Sequence, residues 1–332
     1  MSKKVLEISH QQWQLHTPFV IARSSRTATD TVTVKLHQEG VFGIGECVPT
    51  KRYGESVASV VAQLHEIRDL IESGISRQQL QQQLTPGAAR NALDCALWDL
   101  EAKLQGIRVS DLLQCQEPHA ISTVQTISIG TPEEMGQAAK KLKDFPMLKV
   151  KLNQEDIYQR MCAVHENAPN AKLLIDANES WTFDTLTSAL AQLKDLPVCM
   201  IEQPFPQGED HLLSDLSSTT PIGADESCHH AGDIDYLKQY YDVVNIKLDK
   251  CGGLTEALNI VKAAKAAKLQ VMVGCMVGSS LSMAPALFVA MHADYIDLDG
   301  STMLCEDAAY GLNYQNGIID SLPPALWGGI VK

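Results

Sequence analysis

The sequence predicts an α/β protein whose larger part is a (β/α)8 barrel of TIM type, preceded by a smaller α+β region. Three observations carry this. After Pro118, short apolar stretches alternate with helical patterns. Eight such stretches fall within about 180 residues, the repeat a closed parallel barrel requires. Most of them end in a charged residue, so the charges collect at one mouth of the barrel rather than along its wall.

Composition narrows the function classes. A chain of 332 residues, 45% hydrophobic and 20% charged, is long and apolar enough to bury a large core without metal or disulfide staples. Its net charge of −13 argues against nucleic acid or an anionic membrane as partner and leaves a small-molecule substrate. A site for an anionic substrate must then be locally basic against the global field. The nine cysteines are scattered, odd in number and form no C-x-x-C pair, which reads as reduced cysteine in a cytoplasmic protein. Met1 to Glu7 lacks the apolar run of a signal peptide. Leu269 to Met291 carries no Asp, Glu, Lys or Arg, over a length that raises the question of a membrane span. Gln270, Gly274, Gly278, three serines and Pro285 make it a strand, a loop and a helix start instead. Oligomeric state is left open, a homo-oligomer included.

In chain order, Thr31–Leu36 and Val41–Ile44 form a hairpin across Gln38-Glu39-Gly40. The flanking stretches Pro18–Thr29 and Cys47–Ser56 read as polar, basic loops carrying Arg23, Arg26, Lys51, Arg52 and Tyr53. Thr85 offers a helix cap with Pro86 at the first helical position. Ala89, Leu93, Leu97, Leu100 and Leu104 follow at helical spacing, and Gly106 ends the pattern. The eight candidate strands are Ile121–Ile129, Met147–Leu152, Leu173–Ala177, Val198–Glu202, Ile222–Asp225, Val243–Leu248, Val271–Cys275 and Tyr295–Leu298. Helical patterns such as Leu186–Leu193 and Thr255–Ala267 lie between them.

The strand-end charges are Lys149 and Lys151, then Asp176, Glu202, Asp225 and Lys247, then Asp297 and Asp299. From Lys151 to Lys247 the successive spacings are 25, 26, 23 and 22 residues, one β–α unit each. Buried carboxylates are costly unless paired or bound to a metal. Asp176, Glu202 and Asp225 offer only hard oxygen donors, which favour Mg²⁺ or Mn²⁺ over zinc and leave open positions for substrate oxygens. An ion there would polarise a substrate carboxylate and stabilise an enolate. Lys149 and Lys151 share a face of one strand and, near a dication, are expected to lower each other's pKa toward that of a useful base. Lys247 comes from the sixth strand, across the mouth. One lysine on each face of an α-carbon suits 1,1-proton transfer. The alternative for Lys247 and Lys250 is salt bridging to Asp225 or Asp249.

The segments Lys149-Val150-Lys151, Asp176-Ala177-Asn178, Glu202-Gln203-Pro204, Ala224-Asp225-Glu226-Ser227 and Asn245-Ile246-Lys247 resemble the enolase superfamily, muconate-lactonizing subgroup. The helix Ala92–Leu100 resembles that family's capping-domain helix, so the likeness covers nearly the whole chain. It implies a modified barrel, (β/α)8 or (β/α)7β, under an α+β capping domain. The implied divisions are 1–117 for the cap, 118–305 for the barrel and 306–332 for a segment returning to the cap. It also implies one Mg²⁺ per subunit on Asp176, Glu202 and Asp225, Lys151 and Lys247 as the acid/base pair, Lys149 beside the substrate, and Asn178 and Asn245 supporting the ligands. Asp297-Leu298-Asp299-Gly300 resembles the motif by which dipeptide epimerases hold a free α-ammonium group. Thr17–Arg23 and Cys275-Met276 look like the branch acting on L-Ala-D/L-Glu in murein peptide breakdown, with Arg23 as the residue facing the glutamate end. Racemases of N-acylated amino acids and cycloisomerases on the same scaffold are the alternatives.

Overall fold

The computed structural model describes residues 3–330. Strands β1 (Val5–Ile21), β2 (Ser24–Gln38) and β3 (Val41–Cys47) form an antiparallel sheet in that order. The expected hairpin is β2–β3. Gln38 pairs with Val41 across Glu39 and Gly40, whose φ values of 52° and 82° give the two-residue turn that matches strand twist. Alternation along β2 buries Val32, Val34 and Leu36. The sheet packs closely on the helix Ala88–Gln105. A Cβ on Gly43 or Gly45 would stand 2.2 Å from the Ala96 or Ala92 carbonyl oxygen, so only glycine permits the approach.

Two local expectations are corrected. The stretch Pro18–Thr29 is strand, not loop: β1 runs through Pro18 and pairs with β2 as far as Ile21 opposite Ser24, past an irregularity between Gln14 and Phe19. This end of the ribbon is mostly exposed or half-buried, so it lacks the apolar alternation by which a strand is read. The helix cap is Gly87 at φ 145°, not Thr85, and Glu55 Oε1 accepts the Ala88 N–H at 2.7 Å. Gly106 ends the helix in the left-handed region, as expected.

The next strand, β4 (His119–Ser122), leads into the barrel strands β5 (Gln125–Ile127), β6 (Met147–Lys151), β7 (Lys172–Asp176), β8 (Val198–Glu202), β9 (Ile222–Ala224), β10 (Val243–Lys247), β11 (Gln270–Gly274) and β12 (Tyr295–Ile296). These eight lie side by side, β5 to β12, in one parallel sheet. The edges meet where Val124 N–H donates to the Ile296 carbonyl at 2.9 Å and Leu298 N–H to Thr123 Oγ1 at 2.9 Å, which curls the sheet into a barrel. The expected first strand, Ile121–Ile129, is split. Consecutive amides serve different sheets: Thr123 N–H donates to Gly317 at 2.7 Å, whereas Val124 belongs to the barrel. The uncharged stretch 269–291 is β11, a loop and two short helices, and no helix among the described residues is long and apolar enough to cross a membrane.

The closing strands β13 (Tyr314–Gln315) and β14 (Ile318–Ser321) pair with β4 in a third sheet. Beyond them the fully buried Trp327 donates its indole N–H to the Ile44 and Cys95 carbonyls at 3.0 and 3.2 Å and lies edge-on to Phe288. The chain from 306 onward thus meets barrel, capping sheet and capping helix together.

Candidate active site

Parallel register does the first positioning. In β6, β7 and β8 the residues Lys151, Asp176 and Glu202 are direct neighbours across the ladders, and Asp225 follows the end of β9. Asp176, Glu202 and Asp225 are at most 1% exposed, and each offers an oxygen within 4.8 Å of the others. Asp176 Oδ1 accepts the Asn178 N–H at 2.9 Å, and Asn245 Nδ2 donates to Glu202 Oε1 at 2.6 Å. No donor is aimed at Glu202 Oε2, although Lys149 Nζ stands 2.7 Å away. Three converging hard oxygens with an unsatisfied lone pair fit a divalent ion such as Mg²⁺.

The lysines surround the triad. Lys151 Nζ donates to Asp176 Oδ2 at 2.5 Å, and Lys247 Nζ to Asp225 Oδ2 at 2.6 Å, from opposite sides. Lys149 is enclosed between Asp176, Glu202 and Asp297 at 3.0, 2.7 and 2.7 Å. Burial alone would lower the Lys149 pKa, but these three carboxylates outweigh it and hold it well above the ordinary value. Lys247 is likewise raised: burial opposes its charge, and Asp225 chiefly restores it. Burial and the neighbouring Asp176 push Glu202 up to about 8, while Asp176 and Asp225 are held below the usual range, their lysine partners outweighing the burial that opposes ionisation.

Asp297 and Asp299 follow β12. Asp297 faces Lys149, and Asp299 accepts the Thr126 N–H at 2.6 Å, tying β5 to the last strand. Burial, then the charge of Asp297, pushes Asp299 up to about 7. Over the triad lies a cavity of about 630 Å³ lined by Lys151, Lys247, Cys275 and Met276 from the barrel and by Phe19, Arg23, Arg26 and Tyr53 from the cap. Arg23 is engaged within the protein: it donates to Glu179, to the Asn178 carbonyl at 3.0 Å and to Glu226 at 2.6 Å. Arg26 differs. Its guanidinium lies over the Phe19 ring at 5.4 Å, burial lowers its pKa, and no ion pair with it is found among the described residues.

Sequence reasoning missed one support. Gln203 Oε1 accepts the Asp225 and Ser227 N–H groups at 2.8 and 3.2 Å, while its amide donates to Phe205, Ser227 and Tyr241. Its place between Glu202 and Pro204 was the only available signal. Lys250 Nζ reaches Asp225 Oδ1 at 2.6 Å and the Asn245 carbonyl at 3.1 Å, so the salt-bridge alternative for Lys247 and Lys250 is realised at Asp225. Asp249 instead accepts from Val48 N–H and Asn91 at 3.0 and 2.9 Å.

Known proteins are similar to this chain in sequence and fold. Residues 3–114 match the mandelate racemase / muconate lactonizing enzyme N-terminal domain, and residues 133–319 match the enolase C-terminal domain-like family. The chain is 44% identical to an L-Ala-D/L-Glu epimerase of Escherichia coli (strain K12), over 95% of this chain and 98% of that protein. It is 41% identical to an N-acetyl-D-glutamate racemase of a Pseudoalteromonas species, over 90% and 95%. A crystal structure of an enolase family member from Agrobacterium tumefaciens, described as homologous to dipeptide epimerases and bound to sodium and L-Ala-L-Glu with an ordered loop, superposes with a TM-score of 0.96 at 42% identity, covering 98% of this chain and all of that one. Domain matches over both parts of the chain, with 44% identity to an epimerase over 95% of its length, show that the chain is an enzyme belonging to the enolase superfamily.

Proposed function

We propose that this isomerase is a dipeptide epimerase that moves the α-proton of the C-terminal residue of L-Ala-D/L-Glu between the two faces of its carbon, in the breakdown of murein peptides. The observation that carries the reading is the placement of Lys151 and Lys247 on opposite sides of the carboxylate triad. Asp176, Glu202 and Asp225 would hold one Mg²⁺, with Mn²⁺ as a substitute. When bound, that ion supplies the positive charge that makes the α-proton of a carboxylate acidic enough to remove. Lys151 takes or returns the proton on one face, and Lys247 does so on the other. Lys149 adds positive charge behind the triad, and Asn245 and Asn178 fix its geometry. Asp297 and Asp299 present carboxylates for the ammonium of the alanyl residue, with Cys275 and Met276 beside it. The side-chain carboxylate of glutamate meets Arg26 rather than Arg23: Arg26 is half-buried against Phe19 with no acid paired to it among the described residues, whereas Arg23 already has two.

Incubation of L-Ala-L-Glu with Mg²⁺ in D₂O tests this: α-deuteration together with L-Ala-D-Glu is expected. Absence of exchange with any dipeptide or N-acylated amino acid would overturn it. A second reading, racemisation of N-acylated glutamate, is favoured by one observation: Lys149 already neutralises Asp297 at 2.7 Å, so that wall stands without a substrate ammonium. Asp297→Gly separates the readings, costing free-amine dipeptides more than N-acetylglutamate only if Asp297 holds an ammonium.

A further inference from the structure

Among the described residues, the ion pairs crossing from the first 117 residues to the barrel all run through one cluster at its mouth. Arg52 grips Glu179 as a fork, Nε to Oε2 at 2.8 Å and Nη2 to Oε1 at 2.6 Å. Arg23 binds the same Oε2 and reaches Glu226 with its other nitrogen. The Gln207 N–H donates to Glu179 Oε1 at 2.9 Å. The Glu179 side chain is only 5% exposed, whereas both arginines are about a third exposed. Its backbone is left-handed, φ 63°, directly after Asn178 at φ 44°, and its N–H is held by the Gln203 carbonyl at 2.8 Å. A non-glycine pair in that region is a costly way to build a turn unless the turn presents something. Here it presents one carboxylate to two arginines on two separate capping segments, the β1–β2 turn and the turn at 51–53.

We propose that Glu179 is a positioning residue: it clamps both capping segments onto the barrel mouth and so sets where Arg26 and Tyr53 stand against the substrate. The inference rests on the cavity being the dipeptide site proposed above. Arg26 is three residues from Arg23 on the ribbon, and Tyr53 is next to Arg52, with its ring edge-on to His229. Among the described residues, no hydrogen bond or ion pair links the Glu179 side chain to the three carboxylate ligands or the two catalytic lysines. Loosening it therefore acts on binding, not on proton transfer.

The test uses full-length protein with Mg²⁺ and L-Ala-L-Glu. Glu179→Gln and Arg52→Gln should each raise KM about tenfold while kcat stays within about threefold, the pattern of lost binding contacts. Trypsin should cut after Arg23 or Arg26 about tenfold faster in both variants, read by mass spectrometry, with thermal stability little changed. Arg52→Lys, which keeps the charge but not the fork, should fall between. A KM and cleavage rate like the parent's in both variants would overturn the proposal. So would a fall in kcat at constant KM, or cutting spread evenly along the chain with a lowered Tm, which marks a merely structural role. If the parent does not epimerise any dipeptide, the functional reading fails while the trypsin comparison still decides the clamp.

Discussion

The strand ends and the capping segments both supply charge to one cavity, but in different ways. Asp176, Glu202, Asp225 and Lys149 are at most 1% exposed and stand on neighbouring parallel strands, so backbone register places them before any substrate arrives. Arg23 and Arg52 stand on a projecting ribbon and a single 3-10 turn, about a third exposed, and reach the barrel through side-chain ion pairs and hydrogen bonds. Rigid placement suits groups that move protons, where a small misplacement costs much rate. Side-chain tethering suits groups that admit and grip a ligand.

The largest effect should come from the strand ends. Asp225→Asn is expected to abolish Mg²⁺ binding by calorimetry and reduce turnover about a thousandfold or more. A variant that keeps both would place the metal elsewhere. Next come the lysines. Lys247→Ala should stop interconversion yet still wash deuterium into one stereoisomer, and Lys151→Ala should do so for the other, as two separate faces require. Near-parental epimerisation by either variant would break the two-base reading. On the capping side, Arg26→Met should lower kcat/KM roughly 10–100-fold for dipeptides ending in glutamate and little for apolar ones. Equal losses would remove Arg26 from specificity, and the same comparison with Arg23→Met sharpens the distinction between the two arginines.

The smallest effect lies where the two regions touch. Glu46 on β3 accepts Ser279 N–H and Oγ–H at 3.0 and 2.9 Å, and burial pushes it up to about 7 against these bonds. An acid raised in the fold stays protonated after the unfolded chain has ionised. Its contribution is therefore complete below about pH 4.5 and is lost as pH rises through about 7. Glu46→Gln should flatten that part of the stability profile and leave the protein more stable at pH 8 by about 1–3 kcal/mol, with little change at pH 5, in urea melts.

The barrel was legible because parallel strands buried on both faces read as short apolar runs, and a strand-end charge recurs once per β–α unit. Asp176, Glu202, Asp225, Lys151 and Lys247 could be picked by spacing alone. The ribbon at Pro18–Thr29 was not legible, since it buries little and shows no alternation. The split at Thr123 was hidden for another reason: the departure of β4 depends on pairing with β14, some 200 residues away in sequence. Arg23 could be named as basic, but which acids it would meet is a matter of tertiary contact. Arg26 stands in the same segment with the same chemistry, and tertiary contacts separate them: Arg26 lies over Phe19 and has no acid partner among the described residues.

The contact made by Trp327 has a consequence for the order of folding. It stands 283 residues after Ile44 in sequence, yet its indole bridges the third strand of the opening sheet and the capping helix, with Phe288 against its ring. Neither the Ile44 nor the Cys95 carbonyl can meet this partner until the intervening barrel has brought residue 327 back to the cap. Closing so long a loop is slow in folding, so full docking of the cap is expected among the late steps.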